Sequence, residues 1–292
     1  GVVLVATVLG SRAWLQAWRL TGIRNDALAA LAYVANWRFI SSGQSYFTEG
    51  AVSPLRHTWS LSIEEQFYLG MSIVIGLCLL TAQWRRWLTL AFGVIGVASV
   101  IALVAVHRST PNRELFGTDI RASELVAGCL LAMAVQRWGW PSARWWGIVG
   151  FVSLAVTFVL WGWVSEHDTW VLDGGLAAVS LLNIGMILGA ASWGSPFARL
   201  MAFRPLVEIG KLSYPLYLVH WPIALATQPQ HTGIDGWTLM ALRFVLSFAV
   251  ALPLTYLVEA PIRTQKILRG RWFGVAWAGT AALIVLVTVA YR

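Results

Sequence analysis

The segment RHTWSLSIEEQFYL, which begins at Arg56, places groups capable of proton transfer at the start of an apolar run. His57 is a potential general base, and Glu64 and Glu65 are adjacent carboxylates. At 100° per residue, His57, Glu64 and Tyr68 share one helix face, and Glu65 lies on its flank. His57 and Glu64 are two turns apart, about 10 Å along the axis. This spacing favours two contacts on one elongated cavity over a catalytic dyad.

A second polar stretch, KLSYPLYLVHWPIAL, begins at Lys211. On a helix, Tyr217 and His220 share a face. Pro215 and Pro222 lack backbone donors, so they predict a kink or local unwinding. Broken membrane helices line cavities, because irregular backbone cannot face lipid. The alternative is an interfacial belt of Tyr and Trp that includes one histidine.

Two further motifs contain charge pairs at helical spacing. In GTDIRASELVAGCLLA, Arg121 and Glu124 are three residues apart, which permits an ion pair. They are either a structural clamp or substrate contacts. In VEAPIR, Glu259 and Arg263 are four residues apart at the end of an apolar run, and we expect them to anchor that helix end.

The composition indicates that these motifs lie in a membrane protein. The 292 residues are 58% hydrophobic and 12% charged, more apolar than a soluble domain of this size can bury. The net charge of +8 is scattered through short loops without a nucleic-acid-binding signature, so no nucleic-acid partner is expected. Cys78 and Cys129 lie in apolar segments without metal-ligand spacing. We therefore predict no disulfide, no metal site and no bound cofactor.

The apolar runs predict an all-α, polytopic bundle forming a single membrane domain over residues 1–292. About eight runs reach the roughly 17–25 residues needed to cross a bilayer. They lie near 57–80, 87–106, 119–136, 145–164, 172–192, 206–227, 237–258 and 272–290. The stretch 25–40 is shorter and more polar, which favours an interfacial amphipathic helix. Residues 1–10 are expected to be the tail of a longer helix, so the chain is expected to be an N-terminal truncation.

The loop charges predict an orientation. Alternate loops carry eleven basic residues, and the opposite loops carry three. The basic set is Arg85, Arg86, Arg137, Arg144, Arg199, Arg204, Lys211, Arg263, Lys266, Arg269 and Arg271. Because basic loops remain in the cytoplasm, the chain would end outside the inner membrane, and His57 would begin its helix at the outer face. Arg12, Arg19, Arg24 and Arg38 fit this orientation less well.

This orientation places three polar patches in the outer half of the bundle. They are His57 with Glu64, Glu65 and Tyr68; Arg121 with Glu124; and Tyr217 with His220. A carboxylate at the centre of a membrane helix costs about 2.5–3.5 kcal/mol on insertion scales, and less near the interface. Glu64 and Glu65 therefore need either arginine partners on neighbouring helices or a water-filled site. We predict one embedded site open to the outside, with an ordinary interfacial role as the alternative for His57.

The motifs HTWSLSIEEQFYL, GTDIRASELVAGCLLA, LSYPLYLVHWP and VEAPIR, in this order, resemble membrane-bound acyltransferase family 3. NWRFISSGQSYF, residues 36–47, resembles the segment that precedes its glutamate motif. The resemblance implies an enzyme that moves an acyl group other than aminoacyl, often acetyl, from cytoplasmic acyl-CoA to a hydroxyl. The acceptor class it implies is an envelope polysaccharide, lipopolysaccharide, peptidoglycan or a similar glycan.

The resemblance also implies residues that this chain does not match. Family members carry a catalytic histidine in the first helix, eleven positions after a basic residue, and an arginine-rich motif that contacts the CoA. Within this chain, the expected catalytic residues are Glu64, Glu65, His220 and His57. The expected substrate contacts are Tyr68, Arg121, Glu124 and Tyr217.

Two other functions remain open from the sequence. A transporter or flippase for a polar or lipid-linked solute would also need kinked helices and buried charges. An inactive, truncated homologue would keep the fold without the chemistry.

Overall fold

A computed structural model describes residues 1–11, 20–43, 52–106, 111–164, 170, 175–264 and 270–289. All regular secondary structure in these ranges is helical, which confirms the predicted all-α class. The helices are α1 (Val2–Gly10), α2 (Leu20–Leu31), α3 (Ala35–Ser41), α4 (Thr58–Leu79), α5 (Trp84–Val106), α6 (Pro111–Phe116), α7 (Thr118–Trp138), α8 (Trp146–Trp163), α9 (Gly175–Ala191), α10 (Pro196–Met201), α11 (Arg204–Ala226), α12 (Pro229–Thr232), α13 (Gly236–Pro253), α14 (Ala260–Arg263) and α15 (Arg271–Val289). A π-helical segment, Leu254–Glu259, joins α13 to α14.

Several helices are suited to a membrane. Among the described residues, four stretches are long and apolar enough to cross one: Thr58–Leu79, Trp84–Ala105, Trp146–Trp163 and Gly236–Arg263. The apolar helices Gly175–Ala191 and Gly274–Leu286 are shorter. Helices α7 and α11 coincide with predicted spans but contain more polar residues. The count of eight spans stays a prediction.

Two local predictions are wrong. The stretch 25–40 is not one helix, because Tyr33 has a positive φ of 55° and separates α2 from α3. The α3 side of this break is stabilised by Ser62 Oγ, which accepts a hydrogen bond from Ala35 N at 3.1 Å. Of the two alternatives predicted for α11, local unwinding is wrong, since the helix continues through Pro215 and Pro222. A kink at these prolines stays a prediction.

The described chain divides into two compact units. The first contains residues 1–39, 49–62 and 208–292. Within it, α1 and α2 pack against α15 around Val8, Ile23, Ala27 and Ile284. Leu55 is fully buried in this cluster, so the core of this unit fixes the segment just before His57.

The second unit contains residues 40–48 and 63–207. Its α5 and α7 pack around an apolar cluster that includes the partly buried, free cysteines Cys78 and Cys129. Ser99 Oγ also donates a hydrogen bond to the Ile120 carbonyl, 2.7 Å away. Its α8 and α9 approach so closely that a Cβ on Gly189 would lie 2.7 Å from the Gly150 Cα. Small residues permit such contact between membrane helices.

Candidate active site

The turn before α4 is attached to α11 by both hydrogen bonding and ring contact. Within the turn, Arg56 N donates to the Ser53 carbonyl at 3.0 Å. The same carbonyl accepts a hydrogen bond from Trp221 Nε1 at 3.0 Å. The Arg56 guanidinium lies 4.5 Å from the centre of the Trp221 ring, a cation–π arrangement. One residue of α11 thus holds both ends of the turn that precedes His57.

Tyr217 joins α11 to the first turn of α4. Its hydroxyl donates to the His57 carbonyl at 2.5 Å and lies 2.5 Å from Ser60 Oγ. Because the tyrosine proton points to the carbonyl, Ser60 donates in the second bond. The two polar stretches of the sequence therefore meet here. The Tyr217 hydroxyl, predicted as a substrate contact, is already engaged by two protein groups.

The His57 side chain is buried, and its ring nitrogens lack protein partners in the part of the chain that the structure describes. It is only 6% exposed, and within the described residues neither ring nitrogen has a partner with hydrogen-bond geometry. Its ring lies 5.6 Å from that of Tyr217 and 5.9 Å from that of His220, both edge-on. An imidazole whose nitrogens have no protein partner can accept a proton from a molecule that binds in contact with it.

His220 lies next to this imidazole and is itself exposed. Its Nδ1 is 2.7 Å from the carbonyl oxygen of Tyr217. A carbonyl can only accept, so Nδ1 carries the hydrogen of the neutral ring, and Nε2 keeps the basic lone pair. The structure thus brings together three predicted site residues, His57, Tyr217 and His220.

His57 faces a cavity of about 440 Å³ inside the first unit. The volume is in the range of small-molecule sites. Apolar residues form most of the wall. The polar side chains in the lining are Tyr33, His57, Thr58, Tyr214, Glu259, Arg263 and Thr280.

Glu259 and Arg263, which the sequence predicts to anchor a helix end, also line this cavity. They do pair, with Arg263 Nη1 3.5 Å from Glu259 Oε1. Glu259 Oε2 is buried and has no hydrogen-bond partner among the described residues, although both side chains line the cavity. The π-helical segment that ends at Glu259 follows Pro253 directly, and such segments are frequent at functional sites. Pro253, which lies upstream of VEAPIR, is the sequence signal that could have indicated an irregular helix at this part of the cavity lining.

The predicted glutamates belong to the second unit. Glu64 is partly buried, whereas Glu65 and Tyr68 are exposed. Within the described part of the chain, neither carboxylate forms an ion pair, so the alternative of arginine partners is not observed there. None of the three lines the cavity that contains His57. Sequence reasoning missed their neighbour Gln66, whose Oε1 accepts a hydrogen bond from Thr118 Oγ1 at 2.6 Å.

Arg121 and Glu124 form the ion pair that their spacing predicts. Arg121 Nη2 lies 3.1 Å from Glu124 Oε2, and both side chains are mostly buried. A second pair, Arg113 with Asp119 at 2.6 Å, closes the turn between α6 and α7. That Arg121, Glu124 and His57 belong to one site stays a prediction.

Comparison with known proteins identifies the family. The family model described as "Acyltransferase domain", that of acyltransferase family 3, matches residues 5–260. This chain belongs to that acyltransferase family. The match includes the turn before α4, α11 and the whole π-helical segment, so the histidine pair is part of the acyltransferase domain. Arg263 and Thr280, which also line the cavity, lie beyond the matched residues.

Among the relatives of this acyltransferase domain, the O-acetyltransferase OatA of Staphylococcus aureus (strain NCTC 8325 / PS 47) is 32% identical over 257 residues. The alignment covers 83% of this chain and 42% of the relative. The peptidoglycan O-acetyltransferase OatA of Listeria monocytogenes is 30% identical over 320 residues, covering 92% of this chain and 48% of the relative. The chain thus spans less than half the length of these relatives. No solved structure matches it significantly.

Proposed function

We propose that this chain is the membrane part of an O-acyltransferase that moves an acyl group, most simply acetyl, from cytoplasmic acyl-CoA to a hydroxyl of an envelope glycan. Peptidoglycan is the first acceptor to test, because relatives that share this domain are named for it. The observation that carries the proposal is His57, which lines the cavity, has no hydrogen-bond partner at either ring nitrogen among the described residues, and accepts a hydrogen bond from Tyr217 at its backbone carbonyl.

The chemistry requires a base, a place for the acceptor and stabilisation of an oxyanion. His57 takes the proton of the glycan hydroxyl while its oxygen attacks the thioester carbonyl. The carbon–sulfur bond of the resulting tetrahedral intermediate then breaks, and the proton passes from His57 to the leaving thiolate. Arg263 lines the same cavity and belongs to the basic residues expected at the cytoplasmic side, so it supplies positive charge on the donor side of the cavity.

The other predicted residues receive roles in the same proposal. His220, with Nε2 free to accept a proton, either relays the proton from His57 or serves as the base itself. Glu64 and Glu65 polarise the acceptor side, and Tyr68, Arg121 and Glu124 contact substrate. In this arrangement the chain crosses the inner membrane about eight times, with its basic loops in the cytoplasm and its C-terminus outside.

The decisive experiment measures transfer from radiolabelled acetyl-CoA to peptidoglycan in membranes that contain the complete protein. We expect His57→Gln to lower the rate by about 10²–10⁴-fold, the usual contribution of a general base. His231→Gln is the matched control, because His231 is exposed on α12 and lies outside the cavity. Full activity of His57→Gln would remove His57 from the mechanism.

The same assay tests the remaining assignments. Glu64→Gln and His220→Ala are expected to reduce transfer, and a variant that keeps full transfer loses its assignment. The 292-residue chain is assayed beside a version that includes any encoded residues upstream of Gly1. Activity of the longer form alone means that an upstream group is also needed. Accumulation of a solute in vesicles without any acylation would favour the transporter instead.

A further inference from the structure

A second large cleft lies in the unit that contains α5 and α7, with a volume of about 970 Å³. It is lined by Ala82, Gln83, Trp84, Arg85, Arg86, Thr89, Leu90, Leu130, Met133, Ala134, Gln136, Arg137 and Trp138. The first turn of α5 supplies two of its arginines, and the last turn of α7 supplies the third. Gly139, with φ of 80°, then ends α7 beside the cleft.

The charge of this cleft is uncompensated. Three guanidinium groups line it and no carboxylate does. Arg85 and Arg86 also lie at the positive end of the α5 dipole, where cations are unfavourable, and the first turn of α5 contains no acidic residue. Among the described residues, none of the three arginines forms an ion pair. An anion bound in the cleft would offset this concentration of positive charge.

Two of the arginines lie against the tryptophan next to them in the chain. The Arg85 guanidinium lies 5.0 Å from the Trp84 ring, and that of Arg137 lies 5.4 Å from the Trp138 ring. Planar guanidinium groups bind phosphate oxygens in pairs and also stack on aromatic rings. Phosphate is therefore the anion that this lining fits best.

The position of the cleft indicates where that phosphate lies. Helices α4 and α5 are both long and apolar enough to span a membrane, and residues 80–83 join them directly. The mouth of the cleft is therefore at a membrane surface, at the level of lipid headgroups. Leu90, Leu130 and Met133 make the other part of its lining apolar, as a hydrocarbon chain would require.

We propose that this cleft binds a phosphate group, carried by an anionic membrane lipid or by a soluble phosphate compound. Basic pockets between membrane helices on the cytoplasmic side bind lipid headgroups in this way. The site is separate from the histidine cavity, and it does not depend on the proposed acyl transfer.

The test uses the whole chain purified in detergent, with phosphatidylglycerol, phosphatidylcholine and inorganic pyrophosphate as probes. Lipid retention is measured by native mass spectrometry, and pyrophosphate binding by the shift in thermal unfolding against sulfate at equal ionic strength. We expect at least about tenfold tighter binding of phosphatidylglycerol than of phosphatidylcholine, or a saturable pyrophosphate shift. A response to the lipid alone identifies a lipid source, and a response to pyrophosphate alone identifies a soluble one.

The triple variant Arg85→Gln, Arg86→Gln, Arg137→Gln is expected to lose this binding. Its matched control is Arg144→Gln with Arg199→Gln, which removes exposed arginines of the same unit that do not line the cleft. Equal binding by the triple variant and the control would overturn the proposal. If the unaltered chain neither prefers phosphatidylglycerol nor binds pyrophosphate, the proposal is also overturned. This outcome does not require any variant to fold.

Discussion

At the scale of single residues, the proposed site depends on groups that hold His57 as much as on His57 itself. Sequence periodicity could place Tyr217 and His220 on one face of a helix, and it could do the same for His57 and Glu64. It could not show that the His57 carbonyl is the acceptor for Tyr217, because that contact joins residues 160 positions apart. For the same reason, Glu259 was assigned only an anchoring role, since no local pattern reveals which side chains line a cavity.

Tyr217→Phe is expected to separate positioning from packing. It keeps the ring edge-on to His57 but removes the hydroxyl that bonds the His57 carbonyl and Ser60. Loss of a neutral hydrogen bond costs about 0.5–1.5 kcal/mol, so we expect a lower thermal midpoint together with slower acyl transfer. Tyr256→Phe is the control, because Tyr256 is 60% exposed. Unchanged stability and rate in Tyr217→Phe would contradict the positioning role.

Glu259→Gln tests whether Glu259 contributes to substrate binding in the cavity or only stabilises the helix end. Its partner Arg263 is 72% exposed at the side chain, so the ion pair contributes at most about 1 kcal/mol. We therefore expect little change in the thermal midpoint and a clear rise in KM for acyl-CoA, the proposed substrate on the cytoplasmic side. Glu208→Gln, which breaks the exposed pair with Lys211, serves as the control. A lower thermal midpoint with unaltered kinetics would restore the purely structural role.

At the scale of elements, apolar run length located several helices within a few residues. The predicted runs 87–106 and 145–164 correspond to α5, Trp84–Val106, and α8, Trp146–Trp163. The response of the backbone to proline was not predictable in this way. Helix α11 accommodates Pro215 and Pro222, whereas the helix after Pro253 changes to π-helical hydrogen bonding. A missing donor can be tolerated by either route, and the packing around it decides which one occurs.

Gly189→Leu is expected to disrupt the pairing of α8 and α9. A Cβ at Gly189 would lie 2.7 Å from the Gly150 Cα and 2.9 Å from the Trp146 carbonyl, and backbone atoms cannot rotate away. Overpacking of this kind costs about 1–3 kcal/mol, so we expect less monodisperse protein in fluorescence-detected size exclusion. Gly162→Leu on α8 is the control, since nothing lies within 4 Å of its added Cβ. Equal yields of the two variants would show that the close approach is not needed.

At the scale of the whole molecule, the distribution of basic loops predicts which side of the membrane each loop faces. The loop around Trp193 is followed by Arg199 and Arg204, whereas the loop around Asp235 contains no Lys or Arg between α11 and α13. Both residues are exposed, so a cysteine at either position is accessible to a reagent. After Cys78 and Cys129 are replaced by Ala, intact cells are treated with a membrane-impermeant maleimide. Asp235→Cys is expected to react from outside, and Trp193→Cys only after the cells are opened.

The labelling result also bears on the proposed chemistry, in which the acyl-CoA donor is cytoplasmic and the glycan acceptor is outside. Orientation with Asp235 outside is the one in which Arg85, Arg86 and Arg137 face the cytoplasm. The reverse labelling pattern would place these arginines outside and the end of α11 in the cytoplasm, since α11 leads into the Asp235 loop. His220, near that end of α11, would then lie on the donor side, and its proposed role beside the glycan acceptor would fail. Labelling of both cysteines in intact cells would instead contradict the assignment of a membrane crossing between them.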